Sequence, residues 1–195
     1  MFADDIILLS ESKDGLQCAL NKLYEYSQKW RLKINSEKSK VMVFCKSGRL
    51  CKDIFNIGPE PLEIVKEYIY LGINFNCNGS FNQAIKTLDN KARKAMFKVR
   101  STLFKTNVSP KTALHIYDSL VRPVQTYSAD AWGAFVKNTN KMFEVNEDRY
   151  KYFDEQCFEK TDLKFAKSIL GVHKMASNPA VRGELARYPI IIASI

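Results

Sequence analysis

The sequence has little of what metal-binding modules, disulfide frameworks and membrane proteins require. It contains two histidines, His115 and His173, and five cysteines, none of which forms a C-x-x-C pair. This pattern favours neither a zinc module nor a disulfide framework, so we expect reduced thiols inside a cell, in the nucleus or the cytoplasm. No apolar run approaches the ~20 residues of a membrane-spanning helix, and no basic region leads into a signal core. The sequence therefore predicts a soluble protein without a membrane partner.

Positive charge is what the sequence has in excess. Its 195 residues include 30 Lys and Arg against 21 Asp and Glu, which gives a formal net charge of +9. The length allows a substantial hydrophobic core. A basic excess of this size suits a polyanionic partner, although many basic proteins bind none.

Two adjacent carboxylates, Asp4 and Asp5, stand between the apolar residues 1–3 and the apolar run Ile6 to Leu9, which we expect to form a strand. An isolated Asp-Asp pair is most often a solvated turn. Apolar flanks would instead bring the carboxylates to the surface of a sheet, where uncompensated charge is costly unless a cation shares it. A divalent metal ion is the natural partner for such a pair.

Two further segments combine strand patterns with polar chemistry. In the first, Lys33, Lys38 and Lys40 approach a strand predicted at Val41 and Val43. These lysines could be solvated loop residues. In the second, residues 62–75 are predicted to form two strands, with Gly72 permitting a bulge or the close approach of another backbone. A packed hairpin would explain this second segment equally well.

The rest of the sequence predicts helices. Ser12 is the expected N-cap of a first helix, whose apolar stripe includes Leu16, Leu20, Leu23, Tyr26 and Trp30, and Ser80 is the expected cap of the next. From Phe81 a long apolar stripe recurs with the helical period and consists of Ile85, Leu88, Ala92, Ala95, Met96, Val99 and Leu103. Basic residues occupy the opposite arc: Lys86, Lys91, Arg93, Lys94, Lys98 and Arg100. This face could bind phosphates or could only confer solubility.

Later helices are predicted after Ser109 and Pro110, before Gly171, and from Asn178 to Arg187. The buried side of the helix after Pro110 is expected to consist of Ala113, Leu114, Tyr117, Leu120 and Val121. The segment from Val136 to Glu159 is more polar, which favours exposure there.

Five blocks, in order, resemble the reverse transcriptases of non-LTR retrotransposons: FADDIILLS, LKINSEKSKVMVF, YIYLGINFNCNGSF, LVRPVQTYSADAWG and KSILGVHKMASNPAVRGELARYP. The resemblance implies an α+β fold, with a partial polymerase palm (a small antiparallel sheet with a packed helix), a helical thumb and a helical C-terminal extension. We place these parts at residues 1–78, 79–135 and 136–195.

The resemblance also implies roles for individual residues. Asp4 and Asp5 would be catalytic ligands of Mg²⁺, and Lys38 would stabilise or protonate the pyrophosphate leaving group. Tyr70, Leu71 and Gly72 would form the primer grip, and the basic helix face would hold the nucleic-acid backbone. The partners implied are an RNA template, a DNA primer and deoxynucleotides.

The resembled family takes a further catalytic aspartate and its fingers region from segments upstream of those found in this sequence. We therefore expect a C-terminal part of a polymerase, inactive by itself, since a two-metal site needs carboxylates enough to bridge both ions. The sequence leaves two alternatives open. One is a non-catalytic nucleic-acid-binding remnant, and the other is a pseudogene product without function.

Overall fold

The computed structural model describes residues 5–106, 108–133 and 157–190. Asp4 and most of the polar segment from residue 136 onward lie outside these ranges. The chain divides into two compact units, Met1–Ser80 (unit 1) and Phe81–Ile195 (unit 2). Among the described residues, no helix is both long enough and apolar enough to cross a membrane. The predicted boundaries at residues 78 and 135 stay predictions.

Unit 1 begins with helix α1, Lys13–Lys29, which has the predicted N-cap. The Gly15 amide donates a 3.1 Å hydrogen bond to the Ser12 hydroxyl, which satisfies one of the open amides of the first turn. Leu20 is buried on the inner face of the helix. The predicted stripe is wrong at its C-terminal end, because Tyr26 and Trp30 are exposed and their tilted rings lie against each other, 6.1 Å apart between centroids.

Three strands form the sheet on which α1 packs. They are β1 (Lys40–Val41), β2 (Phe55–Ile57) and β3 (Glu60–Ile64), in the order β1-β3-β2. β2 and β3 are antiparallel, whereas β1 runs parallel to β3, a pairing that the predicted antiparallel sheet did not include. The buried core between sheet and helix consists of Leu20, Val41, Phe55, Ile57 and Leu62.

The turn between β2 and β3 depends on a glycine. Gly58 has a φ of +58°, a region that side chains with a Cβ rarely adopt, and a Cβ there would overlap the ring of Tyr24. Tyr24 belongs to α1 and packs against the core of unit 1. The absence of a side chain at residue 58 is what lets the helix lie on this turn.

Two more strands, β4 (Glu67–Tyr70) and β5 (Ile73–Asn76), form an antiparallel hairpin. The sequence predicted two strands between residues 62 and 75, whereas the structure has three, because the chain turns between β3 and β4. Tyr70 pairs with Ile73, so Leu71 and Gly72 alone form the loop. Both have positive φ, 46° and 80°, as a type I′ hairpin turn requires.

The strand predicted at residues 6–9 is absent. Residues 6–10 have no regular secondary structure, and Ile6, Ile7 and Leu9 are exposed. Leu8 packs against the core of unit 1. A strand needs a neighbour to pair its backbone groups, and a pattern of apolar residues supplies none.

Unit 2 is helical. In the described residues its helices are α2 (Asn82–Leu103), α3 (Pro110–Leu120), α4 (Arg122–Gln125), α5 (Ala129–Trp132), α6 (Cys157–Leu170) and α7 (Asn178–Glu184). The core joins α2, α3 and α6 and consists of Ala92, Met96, Tyr117, Val121 and Phe165. The rings of Tyr117 and Phe165 stack at 4.3 Å between centroids. With the sheets of unit 1, these helices confirm the predicted α+β class.

Buried ion pairs also hold unit 2 together. Arg182 on α7 and Glu159 on α6 form a 3.1 Å pair, with side chains only 6% and 0% exposed. Arg187 contacts Asp118 on α3 at 2.8 Å and Asp162 on α6 at 3.1 Å. The first pair joins α7 to α6, and Arg187 connects the segment after α7 to both α3 and α6.

Three smaller predictions in unit 2 are wrong. Leu120 is 58% exposed rather than buried, because α3 ends there and the chain turns into α4. Phe81, not Ser80, occupies the N-cap position of α2. The sequence also predicts exposure for the apolar C-terminal stretch YPIIIASI, but Ile190 is buried.

Candidate nucleic-acid interface and polymerase residues

Helix α2 separates a core face from a basic face, as its sequence predicts. Leu88, Ala92 and Met96 are buried, whereas Lys91, Lys94 and Lys98 are exposed. Residues three or four positions apart lie close together on a helix surface, so these three lysines form a row, hereafter the lysine row. Lys86 is also exposed on this helix. The sequence between Lys91 and Lys98 contains no carboxylate that would neutralise the row. The arrangement suits contact with successive phosphates.

Arg93 differs from the other basic residues of α2. Its Nε lies 2.9 Å from Asp89 and donates a hydrogen bond to the Thr161 hydroxyl on α6. Thr161 in turn donates a 2.8 Å hydrogen bond to Asp89. Arg93 therefore helps join α2 to α6, although its side chain remains 47% exposed. Its predicted role in nucleic-acid binding stays a prediction.

Asp89 is a residue that the sequence did not single out. It is 2% exposed, and burial raises the pKa of its carboxyl, while the bonds from Thr161 and Arg93 act in the opposite direction. Its partner Thr161 lies 72 positions along the chain. No pattern local to α2 could have revealed this contact.

Arg100 lies over an aromatic ring. Its guanidinium is 5.1 Å from the centroid of Phe104, and on the same helix Phe97 has the Lys164 ammonium at 5.2 Å. Both distances are typical of cation–π contacts. Cations and exposed aromatic rings are therefore interleaved at the C-terminal half of α2.

Lys38 lies in a turn of unit 1 that precedes β1. Its backbone amide donates a 3.0 Å hydrogen bond to the Asn35 side chain, and the lysine is exposed. The Tyr68 hydroxyl donates to the Lys38 carbonyl at 3.4 Å. This bond brings the lysine-bearing turn beside β4, the strand that leads into the predicted primer grip.

The predicted primer grip, Tyr70 to Gly72, is the hairpin turn itself. Leu71 is 40% exposed and adopts φ 46°, which is uncommon for a residue with a bulky side chain. Asn or Asp before Gly is the usual choice in such turns. A strained leucine at the tip is a feature often associated with functional sites.

Asp5 is exposed, and its neighbour Asp4 lies outside the described residues. Carboxylates are the hard oxygen donors that Mg²⁺ prefers. Within residues 5–106, 108–133 and 157–190, no group of three or more His, Cys, Asp or Glu is placed to hold a metal ion. The donor type fits Mg²⁺, but Asp5 is the only predicted ligand that the structure describes. The proximity of the aspartates to Lys38 and the hairpin tip stays a prediction.

Residues 1–75 match the family model described as reverse transcriptase (RNA-dependent DNA polymerase). This range contains the Asp4-Asp5 pair, Lys38 and the hairpin tip. No solved structure gives a significant match.

Curated relatives come from mobile elements. A transposon-derived protein of Caenorhabditis elegans is 29% identical over 136 residues, covering 67% of this chain and 47% of the relative. The RNA-directed DNA polymerase of the Drosophila melanogaster mobile element jockey is 24% identical over 70% of this chain and 16% of its own length. A protein named as the RNA-directed DNA polymerase of the Drosophila transposon X-element is 26% identical over 90% of this chain and 21% of its own length.

The chain thus spans less than half the length of each of these relatives, while the X-element match extends through both units. The family model and these relatives agree with the resemblance of the five sequence blocks to reverse transcriptases. The family match over residues 1–75 and the similarity to these mobile-element proteins support assigning the chain to a non-LTR, LINE-type reverse transcriptase.

Proposed function

We propose that this chain contributes a nucleic-acid-holding surface to an RNA-directed DNA polymerase, with the RNA template and DNA primer contacting helix α2. The observation that carries the proposal is the lysine row, exposed on a helix whose opposite face is packed in the core of unit 2. A helix anchored in this way presents its charges at fixed spacing.

Contacts from such a surface would go to phosphates. Each phosphate neutralised by a lysine releases a condensed counterion, so the affinity would fall steeply as salt is raised. Phosphate contacts carry little sequence information. Both properties suit a polymerase, which must hold primer and template of any sequence.

The test compares two triple variants with the same change in net charge. Lys91→Glu/Lys94→Glu/Lys98→Glu reverses the lysine row, and Lys46→Glu/Lys52→Glu/Lys66→Glu reverses three exposed lysines of unit 1. Binding to a labelled RNA–DNA primer-template is measured at several salt concentrations. We expect the first variant to bind at least about 10-fold more weakly at low salt and to lower the slope of log K against log salt by about 2 to 3.

Equal losses in the two variants would mean that net charge, not the α2 surface, attracts the nucleic acid. If the unmodified chain does not bind at low salt, the proposal is refuted. The alternative of a pseudogene product without function would then explain the sequence better.

For the complete polymerase we further propose that Asp4 and Asp5 ligate Mg²⁺ and that Lys38 acts on the pyrophosphate leaving group. Bound Mg²⁺ would supply charge stabilisation and activation of the attacking hydroxyl. Support comes from the family match over residues 1–75 and from the Tyr68–Lys38 bond, which ties the lysine turn to the strand of the primer grip.

The 195-residue chain by itself is expected to incorporate no deoxynucleotide into a primer, because a two-metal site needs more carboxylates than this pair. Primer extension with Mg²⁺ measures this directly, with Asp4→Asn/Asp5→Asn as the control. Incorporation that the control abolishes would overturn the expected inactivity while supporting the ligand roles. Binding without incorporation is also what a non-catalytic nucleic-acid-binding remnant would give.

A further inference from the structure

Helix α2 exposes two aromatic rings that the core does not use. Phe97 is 49% exposed, and Phe104, the residue that caps the helix, is 63% exposed. The buried positions of the helix are others, among them Leu88, Ala92 and Met96. Seven residues make nearly two turns of an α-helix, so the two rings lie on the same side, about 10 Å apart along the axis.

A cation lies over each of these rings. Lys164, on the neighbouring helix α6, covers Phe97, and Arg100 covers Phe104. Positive charge around an exposed ring disfavours an apolar protein partner, because burying that interface would desolvate the cations. The same charge favours a ligand that combines flat aromatic groups with anions.

A groove continues this surface beside Phe104. Its volume is about 390 Å³, and its lining includes Leu103, Val108 and Ile169 together with the cations Arg100 and Lys105. Apolar walls with cations among them match a nucleobase attached to a phosphate backbone. The lysine row lies farther round the same helix and carries further positive charge.

We propose that Phe97 and Phe104 stack on unpaired bases, so that α2 holds single-stranded nucleic acid more tightly than duplex. The inference rests on the proposed nucleic-acid binding and adds the form of the strand. Aromatic side chains stack on any base, but only a single strand leaves base faces open to them. In this arrangement the lysines contact phosphates and the phenylalanines contact bases.

The experiment uses the full chain and two forms of one labelled sequence of about 12 nucleotides, single-stranded and annealed to its complement. In the variant Phe97→Leu/Phe104→Leu, both side chains stay apolar but lose their aromatic faces. We expect its affinity for the single strand to fall about 10-fold or more. Duplex affinity is expected to stay within about 2-fold of the unmodified chain, because the lysine row is intact.

A second variant guards against a folding artefact. Phe97→Trp/Phe104→Trp keeps aromatic faces, so it should retain tight single-strand binding. Stacking should also quench its added tryptophan fluorescence when the single strand binds but not when the duplex binds. Thermal unfolding followed by circular dichroism checks that both variants fold.

The outcomes separate this inference from the proposed function. If the unmodified chain binds neither form at low salt, the proposed function fails. If it binds both forms and the leucine variant is unchanged, or weakens on both forms equally, nucleic-acid binding stands and base stacking is refuted.

Discussion

The two units of this chain use opposite means to hold their helices and strands together. In the described part of unit 1, the buried core is apolar, and the only buried polar residue is Ser27. In the described part of unit 2, four charged residues are buried: Asp89, Glu159, Asp162 and Arg182. Large exposed apolar side chains are more numerous in unit 1, although the structure describes fewer of its residues.

This difference concerns specificity as well as stability. Apolar contacts tolerate several arrangements of similar volume, whereas a buried ion pair is favourable only when its exact partner is present. We therefore expect unit 2 to respond more strongly to the loss of a single charge. The following variants test that comparison, from the largest expected effect to the smallest.

Glu159→Ala should have the largest effect. It leaves the buried guanidinium of Arg182 without its 3.1 Å carboxylate partner, which should lower the free energy of unfolding by about 3–5 kcal/mol. Urea unfolding followed by the fluorescence of buried Trp132, with Trp30 replaced by Phe in all proteins compared, reports on unit 2.

Glu63→Gln is the matched control in unit 1. It removes the carboxylate that lies 2.6 Å from Lys40, but the Glu63 side chain is 66% exposed, so we expect a loss of no more than about 1 kcal/mol. Replacing both Glu159 and Arg182 by Met should recover much of the stability lost in Glu159→Ala. Similar losses for Glu159→Ala and Glu63→Gln would remove the distinction between the units.

Helix caps should behave alike in both units. Ser12→Ala removes the acceptor for the Gly15 amide in unit 1, and Ser109→Ala removes the acceptor for the Thr112 amide in unit 2. Each should cost about 1 kcal/mol, because a cap is a local interaction. Hydrogen exchange in the first turns of α1 and α3 measures the effect. A much larger loss for one cap would mean that the units also differ in local helix stability.

Leu71→Asn should have the smallest effect, and its sign should be opposite. Asn followed by Gly suits the positive φ of this turn, so the hairpin should gain about 0.5–1 kcal/mol. Chemical denaturation measures the gain. If the leucine is retained for primer positioning, binding of a primer-template should weaken at the same time. A loss of stability would show that contacts of the leucine side chain outweigh its backbone strain.

The sequence predicted best where one helix face decides the outcome. The apolar stripe of α2 is buried or half-buried along its length, and the basic positions opposite it are exposed, except that Arg100 is half-buried. The sequence-based prediction failed where the structure depends on distant partners. Asp89 has the pattern of a solvated residue, but contacts with Thr161 and Arg93 accompany its burial. Residues 6–9 have the pattern of a strand, but among the described residues they pair with no other strand.

The candidate site follows the same division. The positive charge of the lysine row can be read from the sequence directly. The position of the Lys38 turn beside β4 cannot, because it depends on the hydrogen bond from Tyr68, which is 30 residues away in the sequence. The aromatic rings at positions 97 and 104 went unnoticed in the sequence. Their seven-residue spacing, next to a basic face, was the signal that could have identified them.

The tyrosine ring over Gly58 has a consequence for the substitutions that this sequence can accept. Every substitution at position 58 must displace Tyr24 and also force a left-handed backbone, so no neutral replacement is open to it. Gly79 has a φ of +73° but nothing within 4 Å of a Cβ, so asparagine could replace it at modest cost. Substitution at position 58 would therefore damage the protein, whereas substitution by asparagine at position 79 would leave it folded.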